Sequence, residues 1–136
     1  MKLLAALILF VMTSTSIQAQ SAADQILGIY WTPRKDGKMQ IFKSGERYFG
    51  KLVWGKNSRL DEKNPNPAER KKELLGMVIL KNFLFKEGKY ADGQIYDPDS
   101  GKTYDCSMWL EGMKLKVRGY VGVSLFGRTE TFERVE

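Results

Sequence analysis

A chain of 136 residues with a formal net charge of +6 has room for one domain. It holds no His and a single Cys, which excludes Ser-His and Cys-His nucleophilic catalysis, the usual zinc and iron ligand sets, and any intramolecular disulfide. The fold must therefore rest on packing, for which 3 Trp, 6 Tyr and 7 Phe are well suited.

The amino end reads as a targeting segment. Met1-Lys2 supplies a positive charge, Leu3 to Met12 is an unbroken apolar run, and Thr13 to Ser16 turns polar before Ile17-Gln18-Ala19. This is the layout of a secretory signal peptide cut after Ala19. The apolar run is too short for a spanning helix, which needs roughly 20 such residues. Residues 1–19 are thus expected to be removed, leaving 20–136 as one exported domain, periplasmic or secreted. No other stretch is apolar enough to span a bilayer as a helix.

Alternation rather than helical spacing dominates the rest of the chain. Lys38 to Ile41 alternates cleanly, and Tyr48 to Trp54 reads as a strand with Tyr48, Leu52 and Trp54 on one face. Lys56 to Glu73 breaks the rhythm: it is polar, and the prolines of Asn64-Pro65-Asn66-Pro67 resist both sheet and helix interior. Pro67 to Arg70 can open a short helical turn. Order resumes with Leu74-Leu75-Gly76 and the apolar run Met77 to Leu80.

Lys89 to Tyr96 is a further strand. In the next, Tyr104, Cys106, Met108 and Leu110 oppose Thr103, Asp105 and Ser107; in its neighbour, Met113, Leu115, Val117 and Gly119 oppose Lys114, Lys116 and Arg118. A last strand runs from about Thr129 to Val135. Hairpin chemistry separates the strands: Gly37, Gly45, Gly88 and Gly112 stand where turns need positive φ, and Asp97-Pro98-Asp99-Ser100-Gly101 suits a type I turn with a bulge. Short alternating strands with such turns predict an all-β fold, an antiparallel up-and-down barrel of seven or eight strands.

Candidate chemistry is sparse. Gly122 to Gly127 has one residue too many for a nucleophile elbow, and no base exists to activate Ser124. Asp97, Asp99 and Gly101 imitate the start of a calcium loop, but its twelfth position is Met108 rather than Glu. Cys106 lies on an inward face, where a thiol behaves as a small hydrophobe. The spacing of Asp92, Asp97, Asp105 and Glu111 does not favour paired acid-base work. Arg118 and Arg128 flank the apolar-small stretch from Gly119 to Gly127, where either can meet an anionic group at a barrel mouth or face solvent. The other basic residues are scattered without stacking aromatics, which argues against nucleic acid. Arg70-Lys71-Lys72, the only basic run, reads as solvated loop or a weak contact with anionic envelope components.

Several strings together resemble a known family. They are Asn64-Pro65-Asn66-Pro67-Ala68-Glu69-Arg70, Leu74-Leu75-Gly76, Gly93 to Pro98 with Gly101-Lys102-Thr103-Tyr104, and Val117 to Ser124 with Leu125 to Thr129. In order and spacing these are similar to the bacterial family labelled domain of unknown function 2147. The resemblance implies an exported protein with a lipocalin-like β-barrel and supplies no catalytic residues to carry over. Ser44 and Phe49 stand where the family often shows a Cys pair. Gly28-Ile29-Tyr30 stands for the early Gly-x-Trp of lipocalins, with Trp31 one place late. In lipocalins that Trp closes the barrel floor beneath a basic side chain of the last strand, and Tyr30 and Arg134 are the corresponding pair.

Two functions are compatible with this reading, neither of them enzymatic nor dependent on a cofactor. In the first, the barrel binds a small, largely apolar or amphipathic molecule, lined by Tyr48, Leu52, Trp54, Tyr104, Met108, Leu115 and Val117, with Arg118 and Arg128 at the mouth. In the second, the same residues fill the core of a structural or interaction component of the cell envelope, and the 56–73 loop meets a partner.

Overall fold

The computed structural model of the protein describes residues 22–123 and 126–136; the expected signal peptide, its cleavage point, Ser124 and Leu125 lie outside them. Eight strands run in chain order: β1 (Gly28–Trp31), β2 (Gly37–Ser44), β3 (Arg47–Gly55), β4 (Val78–Lys86), β5 (Lys89–Asp97), β6 (Lys102–Glu111), β7 (Lys114–Tyr120) and β8 (Gly127–Arg134). Each pairs antiparallel with the next, and β8 closes on β1 through Tyr30 opposite Arg134 and Trp31 opposite Glu133. This closed, up-and-down, eight-stranded barrel is the predicted fold. Closure removes the free strand edges that an open sheet would expose.

The turns follow the glycine signals with one exception. Gly45, Glu87-Gly88 and Gly112 all take positive φ, as tight hairpins require. In the β1–β2 turn it is Lys35, at φ 57°, that does so, and Gly37 already belongs to β2. Gly101, at φ 72°, closes the β5–β6 turn, donating its N–H to the Asp97 carbonyl at 2.8 Å.

A bulge in β3 re-aims a side chain. Lys38 pairs with Trp54 while Met39 pairs with Leu52, so Val53 is an extra residue in β3. Such a bulge reverses the alternation beyond it. Tyr48, Gly50 and Leu52 keep to the inner face, whereas the indole of Trp54 turns outward to meet Trp31 edge-on at 6.0 Å. The expectation that Trp54 shares a face with Tyr48 and Leu52 is therefore corrected. Met113 is corrected as well: β7 begins one residue later, and Met113 sits exposed in the turn.

In the middle of the barrel the Phe83 ring lies over Gly93, where a Cβ would come within 2.3 Å of it. No other residue at 93 leaves Phe83 room to bury completely. Around it Met39, Ile41, Leu80, Cys106, Met108 and Leu115 are buried to 1% exposure or less. This packed layer fills one half of the barrel.

The chain preceding β1 seals that half from below. A helical turn at 22–24 brings Ala23 and Ile26 under the core, and both are buried. Three tyrosines fasten it. Tyr48 donates to the Asp24 carboxylate at 2.6 Å, Tyr90 donates to the Ala23 carbonyl, and Tyr30 donates to the Ile26 carbonyl at 2.9 Å. Arg134 then crosses the floor, donating to the Tyr30 hydroxyl at 2.6 Å and to the carbonyls of Leu27 and Gln25, with its guanidinium over the Tyr30 ring. Gly28 permits this crossing, because a Cβ there would lie 2.9 Å from the Arg134 guanidinium. The Tyr30–Arg134 correspondence implied by the family resemblance is present in the structure.

Candidate functional site: the cavity at the barrel mouth

The described residues leave the other half of the barrel open. A cavity of about 770 Å³ lies at the end formed by the β1–β2, β3–β4, β5–β6 and β7–β8 connections. Volumes of roughly 300–1,000 Å³ are usual for small-molecule sites. Leu52, Ile79, Ile95, Val117 and Phe132 form the apolar part of its lining, Tyr104 adds an aromatic side, and Arg34, Asp36, Arg59, Asp97, Asp99 and Arg128 add a charged part. Leu75, Val121 and Phe126 ring the opening and stay 56%, 70% and 75% exposed. Apolar side chains left in water around a concave mouth mark a surface suited to a partner molecule.

The long β3–β4 connection forms one rim of this opening and is ordered. Leu60 and Glu73 bridge antiparallel, closing its base, and the Gly76 N–H reaches the Leu52 carbonyl at 2.7 Å. Asn66 caps the short 3₁₀ turn Pro67–Glu69 by accepting from the Ala68 N–H, with Pro67 at a position that needs no donor. Arg70 Nε donates to the Asn64 carbonyl at 2.8 Å.

The anchor of this connection is Asp61, a fully buried carboxylate. It accepts from the Tyr96 hydroxyl at 2.6 Å and from the Asn64 amide at 2.7 Å, while its own N–H donates to the Lys72 carbonyl. A carboxyl group is kept in the interior only where such bonds satisfy its oxygens. Burial, reinforced by the bond to Asp61, pushes the Tyr96 hydroxyl up to about 12. Arg59 reaches Asp99 at 2.9 Å, and Gly101 lies so close beneath Lys63 that a Cβ would meet its carbonyl at 1.9 Å. The connection is thereby held to the β5–β6 turn. A lone Asp in a polar loop gives no sequence signal of burial, so Asp61 was not among the expected site residues.

Of those residues, Leu52, Tyr104 and Val117 line the cavity. Trp54 lies at its rim with its indole packed outward. Tyr48, Met108 and Leu115 do not join them; they are buried in the filled half, 1% exposed or less. Arg128 borders the cavity but pairs with Glu130 at 3.0 Å, and Arg118 donates to the Thr129 hydroxyl at 3.0 Å. Arg34, Arg59 and Arg128 lie at the mouth among Asp36, Glu73, Asp97, Asp99 and Glu130, so among the described residues it presents no concentrated positive site. Cys106 sits in the filled half, where burial pushes its thiol up to about 12, far from the thiolate range of reactive cysteines. Among the described residues no three acidic or thiol side chains converge as a metal site, and no helix is long and apolar enough to cross a membrane.

The family model for uncharacterised proteins conserved in bacteria, domain of unknown function 2147, matches residues 28–134. The chain belongs to this family. Among solved structures it is similar to protein HP1028 from the human pathogen Helicobacter pylori, described as belonging to the lipocalin family. The TM-score is 0.75 at 21% sequence identity, over 82% of this chain and 84% of that one. At that identity the likeness concerns the fold, and it agrees with the eight-stranded barrel. A search of the curated proteins found no match.

Proposed function

We propose that this family member binds a small, largely apolar molecule in the mouth-side cavity and acts by holding it rather than by transforming it. The observation that carries the reading is the division of the interior. Among the described residues one half is packed, while the other keeps an open-mouthed space of about 770 Å³, lined in part by Leu52, Ile79, Ile95, Val117 and Phe132, under an exposed apolar rim. An eight-stranded barrel has just enough width either to fill with side chains or to hold one ligand, and here both outcomes occur at opposite ends. The ion-paired state of Arg59 and Arg128 favours a neutral or weakly polar guest over an anion. The buried, protonated Cys106 and the absence of His from the chain favour binding over catalysis. The amino-terminal pattern of Met1 to Ala19 supports an exported carrier, periplasmic or secreted.

Native mass spectrometry of protein purified from its own source tests this reading. The expected result is a reproducible adduct of a few hundred daltons that organic solvent removes. Protein that is always of bare mass, and that takes up no apolar compound, overturns it. Amino-terminal sequencing of the same material tests export: the chain should begin at or near Gln20, and a retained Met1 contradicts the expectation.

A further inference from the structure

The outer wall of β1–β4 differs from the rest of the barrel in charge and composition. These four strands contain no Asp or Glu, but hold Lys38, Lys43, Arg47, Lys51, Lys81 and Lys86. Strands β5–β8, by contrast, carry Asp92, Asp97, Asp105, Glu111, Glu130 and Glu133. On the same wall, outward aromatics stand between the lysines, which corrects the expectation that the basic residues are scattered without aromatic neighbours. Trp31 meets Trp54, and Lys38 Nζ lies 4.7 and 5.3 Å from their ring centres. One step along, Phe42 stacks on Phe49 at 5.6 Å with Lys51 Nζ 5.4 Å from the Phe42 ring. Ile29 and Trp54 remain 40% and 41% exposed.

We propose that this wall docks on the surface of an anionic lipid bilayer. Aromatic rings interleaved with lysines form the composition that settles at the headgroup level, the rings entering the interface and the cations meeting lipid phosphates. Neither Lys38 nor Lys51 has a carboxylate partner among the described residues, so their charge is available to an anionic surface. The nearby carboxylates are engaged or peripheral: Glu133 pairs with Lys35, Asp24 with Lys43 and Asp92 with Lys86, while Asp36 and Glu46 sit in turns. A second copy of the chain would bring like charges together on this wall. Strand addition by an extended peptide needs an open edge, and the barrel has none.

Sedimentation with vesicles tests the proposal, comparing phosphatidylcholine alone with phosphatidylcholine containing a quarter phosphatidylglycerol. The protein should partition onto the anionic vesicles, less so at high salt, and not onto the neutral ones. One lysine near such a surface is worth about fivefold, so Lys38→Gln/Lys51→Gln should weaken partition roughly 30-fold. Lys102→Gln/Lys114→Gln, on the opposite wall, should change it by far less. The orientation is read without touching the lysines. Brominated lipid should quench Trp31 and Trp54 in Trp109→Phe protein, and should leave Trp109, on β6, unquenched in Trp31→Phe/Trp54→Phe protein. Any one of four results overturns the proposal: absence of binding to anionic vesicles, equal loss for both lysine pairs, equal quenching of Trp109, or a solution dimer abolished by Lys38→Gln/Lys51→Gln.

Discussion

The two ends of the barrel are built from the same alternating strands and reach opposite results. At the floor, every inward position meets another: Phe83 covers Gly93, three tyrosines grip the segment before β1, and Arg134 locks it from outside. At the mouth, the inward positions Leu52, Ile95 and Val117 face each other across a space that none of the described residues fills. The difference lies in what the connections contribute. The segment at 22–27 is short, apolar and aimed under the barrel, so it acts as a plug. The 56–73 connection is polar and tied sideways to the β5–β6 turn, so it builds a wall and leaves the opening free.

The largest effects should appear where the floor is broken. Phe83→Ala should cost about 3–5 kcal/mol, since it opens a cavity in packed core. Ile95→Ala at the mouth should cost about 1 kcal/mol, because its side chain already borders empty space and loses fewer contacts. Paired urea midpoints measure both, and equal losses would erase the contrast between the ends.

Arg134→Ala comes next. It removes the donors to Tyr30, Leu27 and Gln25, and it should cost about 1–3 kcal/mol. Amide hydrogen exchange should speed up at 22–30 while the cavity walls keep their protection.

Asp61→Ala is the equivalent cut at the mouth. It leaves the Tyr96 hydroxyl and Asn64 amide without their acceptor. The expected result is faster proteolysis within 56–73 with a smaller loss of global stability than Arg134→Ala, because the connection opens locally. A cooperative loss of the whole fold would show that the connection is part of the core.

The pH profile sharpens the same comparison. Burial raises Tyr90 at the floor and Tyr96 at the mouth to about 12, and raises Tyr30 and Tyr48. Groups raised in this way contribute stability that is complete below their unfolded value near 10 and is lost as pH climbs toward the folded values. Stability should therefore decline above about pH 10, with phenolate absorbance appearing in step with unfolding rather than before it. On the acid side the hydrogen bond from Tyr48, together with Lys43, holds Asp24 below its usual 3.8. Its contribution is present above that value and lost below it, and Asp24→Asn should flatten the acid limb slightly.

Much of this architecture can be read in the chain itself. Alternation marked β2, β3 and β5–β8, and Gly45, Gly88, Gly101 and Gly112 marked their turns, because period and positive φ are local properties. The Val53 bulge could not be read, since nothing distinguishes Val53 from its neighbours until Lys38 and Met39 pair across it. The division of the interior was equally hidden. Tyr48, Met108 and Leu115 have the same inward parity as Leu52, Tyr104 and Val117, and only their height along the barrel assigns the first set to the floor and the second to the cavity. The role of Asp61 depends on Tyr96 and so on a contact 35 residues away.

The most direct test of a sealed floor beneath an open apolar mouth is titration with a neutral apolar fluorophore, N-phenyl-1-naphthylamine. It should be run on wild type, Ile95→Trp and Phe83→Leu protein, each shown to be folded. Saturable one-site enhancement is expected for wild type and Phe83→Leu, with loss in Ile95→Trp, where the new side chain occupies the cavity. No saturable response in wild type, or one that Ile95→Trp leaves intact while Phe83→Leu removes it, would contradict the account.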